Sequence, residues 1–419
     1  MSSKPQYYLK GVTRGGGYSV NDSVRELLEL QRMAMEKNRV FSLLTVLVLW
    51  FMISGKFLQT AESLTVGINY GQIANNLPSP TRVAGLVSSL NISKVKLYDA
   101  DPNVLRAFLN SQVEFIIGIG NENVANMTDY SKALSWVQNH IQPYLPRTRI
   151  TCVTVGNEVY SGNDTTLKSN LLPAMQSIYA ALVALGLDKQ VNVTTAHSVA
   201  ILGNSYPPSA GSFRPDVAEF IQPLLNFHAM ANSPFLINVY PFFAYKDNPD
   251  SISLDYVLFR PNSGITDPNT NLNYDNMLYA QVDSVYSAIS AMGHPNIDVR
   301  ISETGWPSRG DPDEVGATPE NAAIYNGNLL QRIAMQQGTP LKPSVPIEVY
   351  VFALFNENLK PGPTSERNYG LYYPDGNPVY NIGLNGRLPS MSSSASNPLT
   401  LLPELVLFML VTVTLFWQL

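Results

Sequence analysis

Short apolar runs rich in β-branched residues alternate along this chain with longer segments whose apolar positions recur every three or four residues. The first pattern marks buried strands and the second amphipathic helices. Eight runs qualify as strands: residues 65–69, 94–98, 114–119, 150–157, 191–196, 235–240, 298–303 and 347–354. Helical spacing is clearest at residues 81–90, 130–141, 171–185 and 276–292. A strand alternating with a helix eight times, over roughly 300 residues, predicts an α/β chain folded as a single (β/α)8 TIM barrel rather than an open doubly wound sheet. Gly118 and Gly120 weaken the third run, and the fifth turns polar at its end. The loop-rich stretch 203–215 interrupts the pattern and is expected to build part of a cleft wall.

Two of these runs close on a glutamate. The fourth reads Ile150-Thr-Cys-Val-Thr-Val-Gly-Asn-Glu158 and the seventh Ile297-Asp-Val-Arg-Ile-Ser-Glu303. Each carboxylate therefore sits at a strand's carboxyl end, the end of a parallel barrel where active sites lie. Two carboxyls meeting over the barrel mouth are the working parts of glycoside hydrolysis, one protonated to donate and one ionised to attack. Taken singly, Asn157-Glu158 also reads as a cap after strand four, and Glu303 as half of a surface ion pair.

Composition narrows the class of partner. Charged residues make up 14% of the chain and the net charge is −5, with no basic run in the candidate domain. That argues against nucleic acid and is compatible with a neutral polysaccharide. The single cysteine, Cys152, falls inside strand four and reads as a small buried hydrophobe; it allows neither an intrachain disulfide nor a cysteine-based zinc site. No His, Cys and carboxylate grouping suggests a metal, no phosphate loop appears, and neither a cofactor nor an obligate protein partner is called for. His197, after strand five, reads as a structural residue near the mouth.

The ends read as processing signals. Residues 1–34 form a polar extension of uncertain status ahead of a conventional start at Met35. Residues 35–63 then read as a signal peptide: Arg39, an apolar core at 40–53, and small residues at Ala61 and Ser63. An uncleaved signal anchor is the alternative. The domain would span residues 64–384, followed by a Ser-rich linker at 385–397 and a hydrophobic tail at 398–419. The uncharged run 405–417 reaches only about 20 Å, short of a bilayer core of roughly 30 Å. Small residues, a spacer and a greasy end make a glycosylphosphatidylinositol attachment signal, with Ser394 as the expected site and the tail removed. Sequons at Asn91, Asn126, Asn163 and Asn192 fit the secretory route to the outer face of the plasma membrane.

Six motifs occur in order: Val66-Gly-Ile-Asn-Tyr-Gly71, Val95-Lys-Leu-Tyr-Asp99, Val155-Gly-Asn-Glu158, Asn238-Val-Tyr-Pro-Phe-Phe243, Ser302-Glu-Thr-Gly-Trp-Pro-Ser308 and Phe355-Asn-Glu-Asn358. Together they resemble the plant endo-β-1,3-glucanases of glycoside hydrolase family 17, across essentially all of residues 64–384. The resemblance implies a (β/α)8 barrel that cleaves β-1,3-glucan with retention, Glu158 as general acid/base and Glu303 as nucleophile. Asn157 is placed to bond a sugar 2-hydroxyl and Tyr240 to hold the nucleophile. Tyr70, Tyr98, Phe243 and Trp306 are candidate platforms for pyranose faces, or else ordinary core caps at strand ends. Asp99, Glu357 and Lys360 complete the expected substrate-binding set. A glucanosyltransferase with the same nucleophile, or a silent glucan-binding barrel, remains open on these residues.

Overall fold

The computed structural model describes residues 66–382, together with Arg25, residues 27–39 and Ser42. The chain divides into two compact units, residues 1–62 and 63–419. In the first, residues 27–39 are helical and exposed, crossing the junction expected at 34/35, with Arg32 and Glu36 paired one turn apart at 3.9 Å.

The second unit is built on a closed, all-parallel eight-stranded barrel. Its strands are β1 (Val66–Asn69), β2 (Lys94–Lys96), β3 (Glu114–Ile119), β4 (Arg149–Asn157), β5 (Asn192–Ser198), β6 (Phe235–Asn238), β7 (Val299–Thr304) and β8 (Val349–Val351). Each pairs with its neighbour in sequence, and β1 pairs with β8 to close the ring. The strands are buried almost throughout because both faces are covered, by helices outside and by one another's side chains within. Ile116, Cys152, Ala196, Leu236 and Tyr350 form a separate apolar cluster contributed by β3, β4, β5, β6 and β8. Burial pushes the Cys152 thiol up to about 12, so the thiol is inert, as read from the sequence.

The outer helices are α1 (Pro80–Ser89), α2 (Pro102–Ala107), α3 (Tyr130–His140), α4 (Thr165–Ala184), α5 (Pro215–Ala231), α6 (Met277–Ala291) and α7 (Pro319–Ala334). Side chains start several of them by satisfying free N–H groups: Asp129 caps α3, Asp164 caps α4, Asn276 caps α6 and Thr318 caps α7. After β8 the described chain continues through loops and a short helical turn, Thr364–Arg367.

The structure bears on two sequence expectations. Strand three is as long as expected despite Gly118, because that glycine sits against the Tyr98 backbone, where a Cβ would lie 2.5 Å from the Tyr98 carbonyl carbon. The stretch 203–215 is not a cleft wall. It folds into a small antiparallel ribbon (Leu202–Asn204 with Ser212–Phe213) that packs on α6, and Asp267 holds it through the Ser209 N–H at 2.8 Å and hydroxyl at 2.9 Å. Among the described residues no helix is long and apolar enough to cross a membrane.

Candidate active site

Both glutamates are delivered by irregular strand ends. The β4–β5 register shifts between Thr154 and Asn157, and the β6–β7 register shifts between Ile301 and Glu303. Such bulges re-aim the side chains that follow. In β4 the shift falls on Gly156, whose φ of +69° suits glycine and whose missing Cβ would press on Val159 at 2.8 Å. Glu158 itself adopts a left-handed backbone, φ 55° and ψ 28°, a conformation uncommon for a non-glycine residue and associated with functional sites.

The two side chains line one open cleft of about 720 Å³ over the carboxyl end of the barrel. Their surroundings differ. Glu303 is 6% exposed and receives three donors: Lys96 Nζ at 2.8 Å and the Tyr98 hydroxyl at 2.7 Å on Oε1, and the Tyr240 hydroxyl at 2.9 Å on Oε2. Burial alone would raise its pKa, but the Lys96 charge, the Lys96 and Tyr98 hydrogen bonds and the Lys360 charge outweigh that, and the carboxyl is held below its ordinary range. Burial and the Glu303 charge push both Tyr98 and Tyr240 well up, so both phenols stay protonated as donors. Glu158 is half-buried, and its Oε1 accepts one bond, from Asn238 Nδ2 at 2.8 Å. Desolvation and the negative Glu303 raise its pKa, against the opposing Asn238 bond and the Lys96 charge. Two carboxyls in one cleft are thus pushed apart in acidity, the pattern that assigns an acid and a base.

Around them stand most of the expected contacts. Tyr98, Asp99, Asn157, Tyr240, Phe243, Glu357 and Lys360 all line the cleft. Glu357 is buried, accepts the Ile73 N–H at 2.8 Å and has its pKa raised by burial. Lys360 pairs with Glu366 at 3.2 Å and lies over the Phe352 ring, 4.1 Å from its centroid. Glu357 and Lys360 are therefore part of the cleft rather than of the solvated surface.

Two expected sugar platforms are instead core. Trp306 is fully buried, its Nε1 donates to Gly316 O at 2.8 Å, and its ring packs edge-on or tilted against Phe242, Tyr245 and Tyr325. Tyr70 is 2% exposed, packs edge-on against Phe355 and does not line the cleft. His197 is buried between Tyr160 and Phe235, and desolvation takes its pKa down to about 3, so it stays neutral as a structural residue. Lys96, Asn238, Phe352 and Glu366 also line or hold the site and were not singled out from sequence. Lys96 and Asn238 each lie two residues before a tyrosine of the site, on the same face of their strands, which is the signal that marks them. No group of three or more metal-ligating side chains occurs among the described residues.

Comparison with known proteins decides the family. Residues 66–384 match the description "Glycosyl hydrolases family 17". The chain belongs to that family. It is 66% identical over 327 residues to glucan endo-1,3-beta-glucosidase 14 of Arabidopsis thaliana, covering 78% of this chain and 83% of that protein. Glucan endo-1,3-beta-glucosidase 11 of the same plant is 59% identical over 321 residues, covering 76% of this chain and 75% of that one. Among solved structures, a β-1,3-glucanase and allergen of Cryptomeria japonica pollen superposes with a TM-score of 0.73 at 42% identity, covering 76% of this chain and 98% of that structure. One of two plant β-glucan endohydrolases described as having distinct substrate specificities follows with a TM-score of 0.70 at 38% identity, covering 76% and 99%.

Proposed function

We propose that this family 17 chain is a glucan endo-1,3-β-glucosidase that hydrolyses internal bonds of β-1,3-glucan with retention. The observation that carries the reading is the split in acidity between two carboxyls of one cleft, Glu303 held ionised and Glu158 held toward its protonated form. The ionised Glu303 attacks the anomeric carbon while Glu158 gives its proton to the departing glycosidic oxygen, so the C1–O bond breaks as a glycosyl ester forms. Glu158, now a carboxylate, then takes a proton from water, whose oxygen attacks C1 and releases Glu303. Asn157, whose side-chain oxygen has no partner among the described residues, is suited to a substrate hydroxyl, and Phe243 and Tyr98 offer rings to the sugar.

The test is product analysis on a defined laminari-oligomer with the wild type and Glu303→Gln. Shorter products from the wild type and none from the folded variant are expected, because an amide cannot form the ester. Longer products would mean transfer to a sugar acceptor; none at all from the wild type would mean a silent glucan-binding barrel. Near-normal hydrolysis by folded Glu303→Gln would overturn the nucleophile assignment.

We further infer that the enzyme works at the outer cell surface. The supporting features are the signal at 35–63, the Ser-rich linker at 385–397 with Ser394 as anchor site, and the apolar tail at 398–419; the linker, the tail and most of the signal lie outside the described residues. Of the sequons, Asn91, Asn126 and Asn163 are exposed, as a glycan requires, while Asn192 is half-buried at the start of β5.

A further inference from the structure

Asn238, at the end of β6, is 2% exposed and joins the two halves of the site. Its Nδ2 donates to Glu158 Oε1 at 2.8 Å, and its Oδ1 accepts the Ser302 hydroxyl at 2.6 Å. Ser302 is itself fully buried, precedes Glu303 in β7, and is tied through its carbonyl to Asn69 Nδ2 at 3.2 Å. The amide is therefore gripped at both ends. An amide nitrogen only donates and an amide oxygen only accepts, so its orientation carries chemical information.

We propose that Asn238 is a positioning residue that decides which oxygen of Glu158 carries the catalytic proton. With an N–H aimed at it, Oε1 must accept, so the hydrogen of protonated Glu158 resides on Oε2. Oε2 has no protein donor among the described residues, and Glu158 lines the cleft where the glycosidic oxygen arrives. In the first step the proton leaves Oε2 for that oxygen as C1–O breaks and the Glu303 ester forms; in the second, Oε2 receives a proton from water. Ser302 is the lock. A reversed amide would set its oxygen against Oε1 and draw the proton there, out of line with the bond to be broken. The idea rests on the reading of Glu158 as the acid. The charged groups bearing on Glu158 are Glu303 from β7, Lys96 from β2 and Glu366 from the loop after β8.

Two experiments test it. Neutron diffraction on deuterated enzyme, at a pH where Glu158 is protonated, should place deuterium on Oε2; deuterium on Oε1 would overturn the proposal. Kinetically, Asn238→Asp sets a second acceptor against Oε1 and captures the proton between two carboxyls. On a laminari-oligomer, kcat/KM should fall by about 100-fold or more, the scale of general-acid catalysis. On a dinitrophenyl glycoside of the same sugar, which needs little protonation, the loss should stay under about tenfold, and the basic limb of the natural-substrate profile should move to higher pH. Equal loss on both substrates, or an unmoved limb, would mean that Asn238 only packs. Should Asn238→Asp not fold, Ser302→Ala carries the same test by unlocking the amide: a larger loss on the oligomer than on the glycoside supports the lock, and wild-type rates on both refute it. Glu158→Gln separates the two ideas. If it loses equally on both substrates, the acid assignment fails; if it shows the split and Asn238→Asp does not, only the present proposal fails.

Discussion

Replacing Lys96 by methionine removes the only full positive charge bonded directly to the proposed nucleophile among the described residues, while keeping most of the volume. Lys96 is 1% exposed and Glu303 6%, so solvent does little to screen the pair. Breaking one side of a buried pair costs about 3–5 kcal/mol, because the remaining charge is left uncompensated. Tyr98 and Tyr240 still donate to Glu303, each such bond to a charged group contributing about 1.5–3 kcal/mol, which places the loss toward the lower end. The sign with pH follows from the depressed native pKa of Glu303. In the wild type the ionised carboxylate contributes stability above the ordinary carboxylate range, and that contribution is lost as pH falls through the lowered value. In Lys96→Met burial dominates and the pKa moves up, so the deficit relative to wild type is largest near neutrality and shrinks in acid. The same shift protonates the nucleophile, so the acidic limb of kcat/KM should move to higher pH, losing about tenfold per pH unit below the new value. The assays are urea unfolding at about pH 7 and about pH 4, and laminari-oligomer hydrolysis across that range. A variant less than about 1 kcal/mol destabilised, with its acidic limb in place, would refute the reasoning, since such a pair would be behaving as an exposed one.

Further outcomes follow from other parts of the molecule. Trp306→Ala should cost about 3–5 kcal/mol of stability by urea unfolding, because the indole fills a closed aromatic cluster; a stability loss below about 1 kcal/mol with weakened glucan binding would restore it as a sugar platform. Burial pushes Asp283 up to about 6, against bonds from Thr339, Leu341 and Tyr274, so its native state loses stability as pH rises from the ordinary carboxylate value through about 6. Asp283→Asn should therefore gain up to about 3 kcal/mol relative to wild type at neutral pH and little below about pH 4; a gain confined to acid would contradict the sign. If the tail is exchanged for a glycolipid near Ser394, phosphatidylinositol-specific phospholipase should release the enzyme from membranes without residues 405–419. A membrane-bound protein that keeps its carboxyl terminus would show a different attachment.

The barrel was legible because most strands, buried on both faces, carry short runs of apolar and β-branched residues, and all eight lie within a few residues of their expected places. Helix α4 was expected to begin at 171 but begins at Thr165; its start is set by the Asp164 side chain, a local signal weaker than apolar spacing. The paired glutamates stood out as charges closing apolar runs. The aromatic residues were harder: at a strand end, a ring that faces the cleft (Tyr240) and one that faces the helices (Trp306) share the same local pattern. Which way each turns depends on bulges and on partners remote in sequence, such as Tyr325 for Trp306. Lys96 was within reach, because a lysine between Val95 and Leu97 in a buried strand needs a partner.

The closed ring has a consequence for how the enzyme comes into being. The donors to Glu303 come from β2 and β6, Glu158 is held from β6, and Asn69 of β1 spans to the carbonyls of Tyr350 and Val351 in β8, about 280 residues later. A ribosome delivers β1 first and β8 last, so throughout synthesis the early strands wait without their closing neighbour. The proposed nucleophile emerges only with β7, and its setting is complete only after the ends of the sheet have met. Catalysis on this scaffold is therefore tied to chain completion: a chain cut before β7 lacks the proposed nucleophile, and one cut before β8 leaves the ring open.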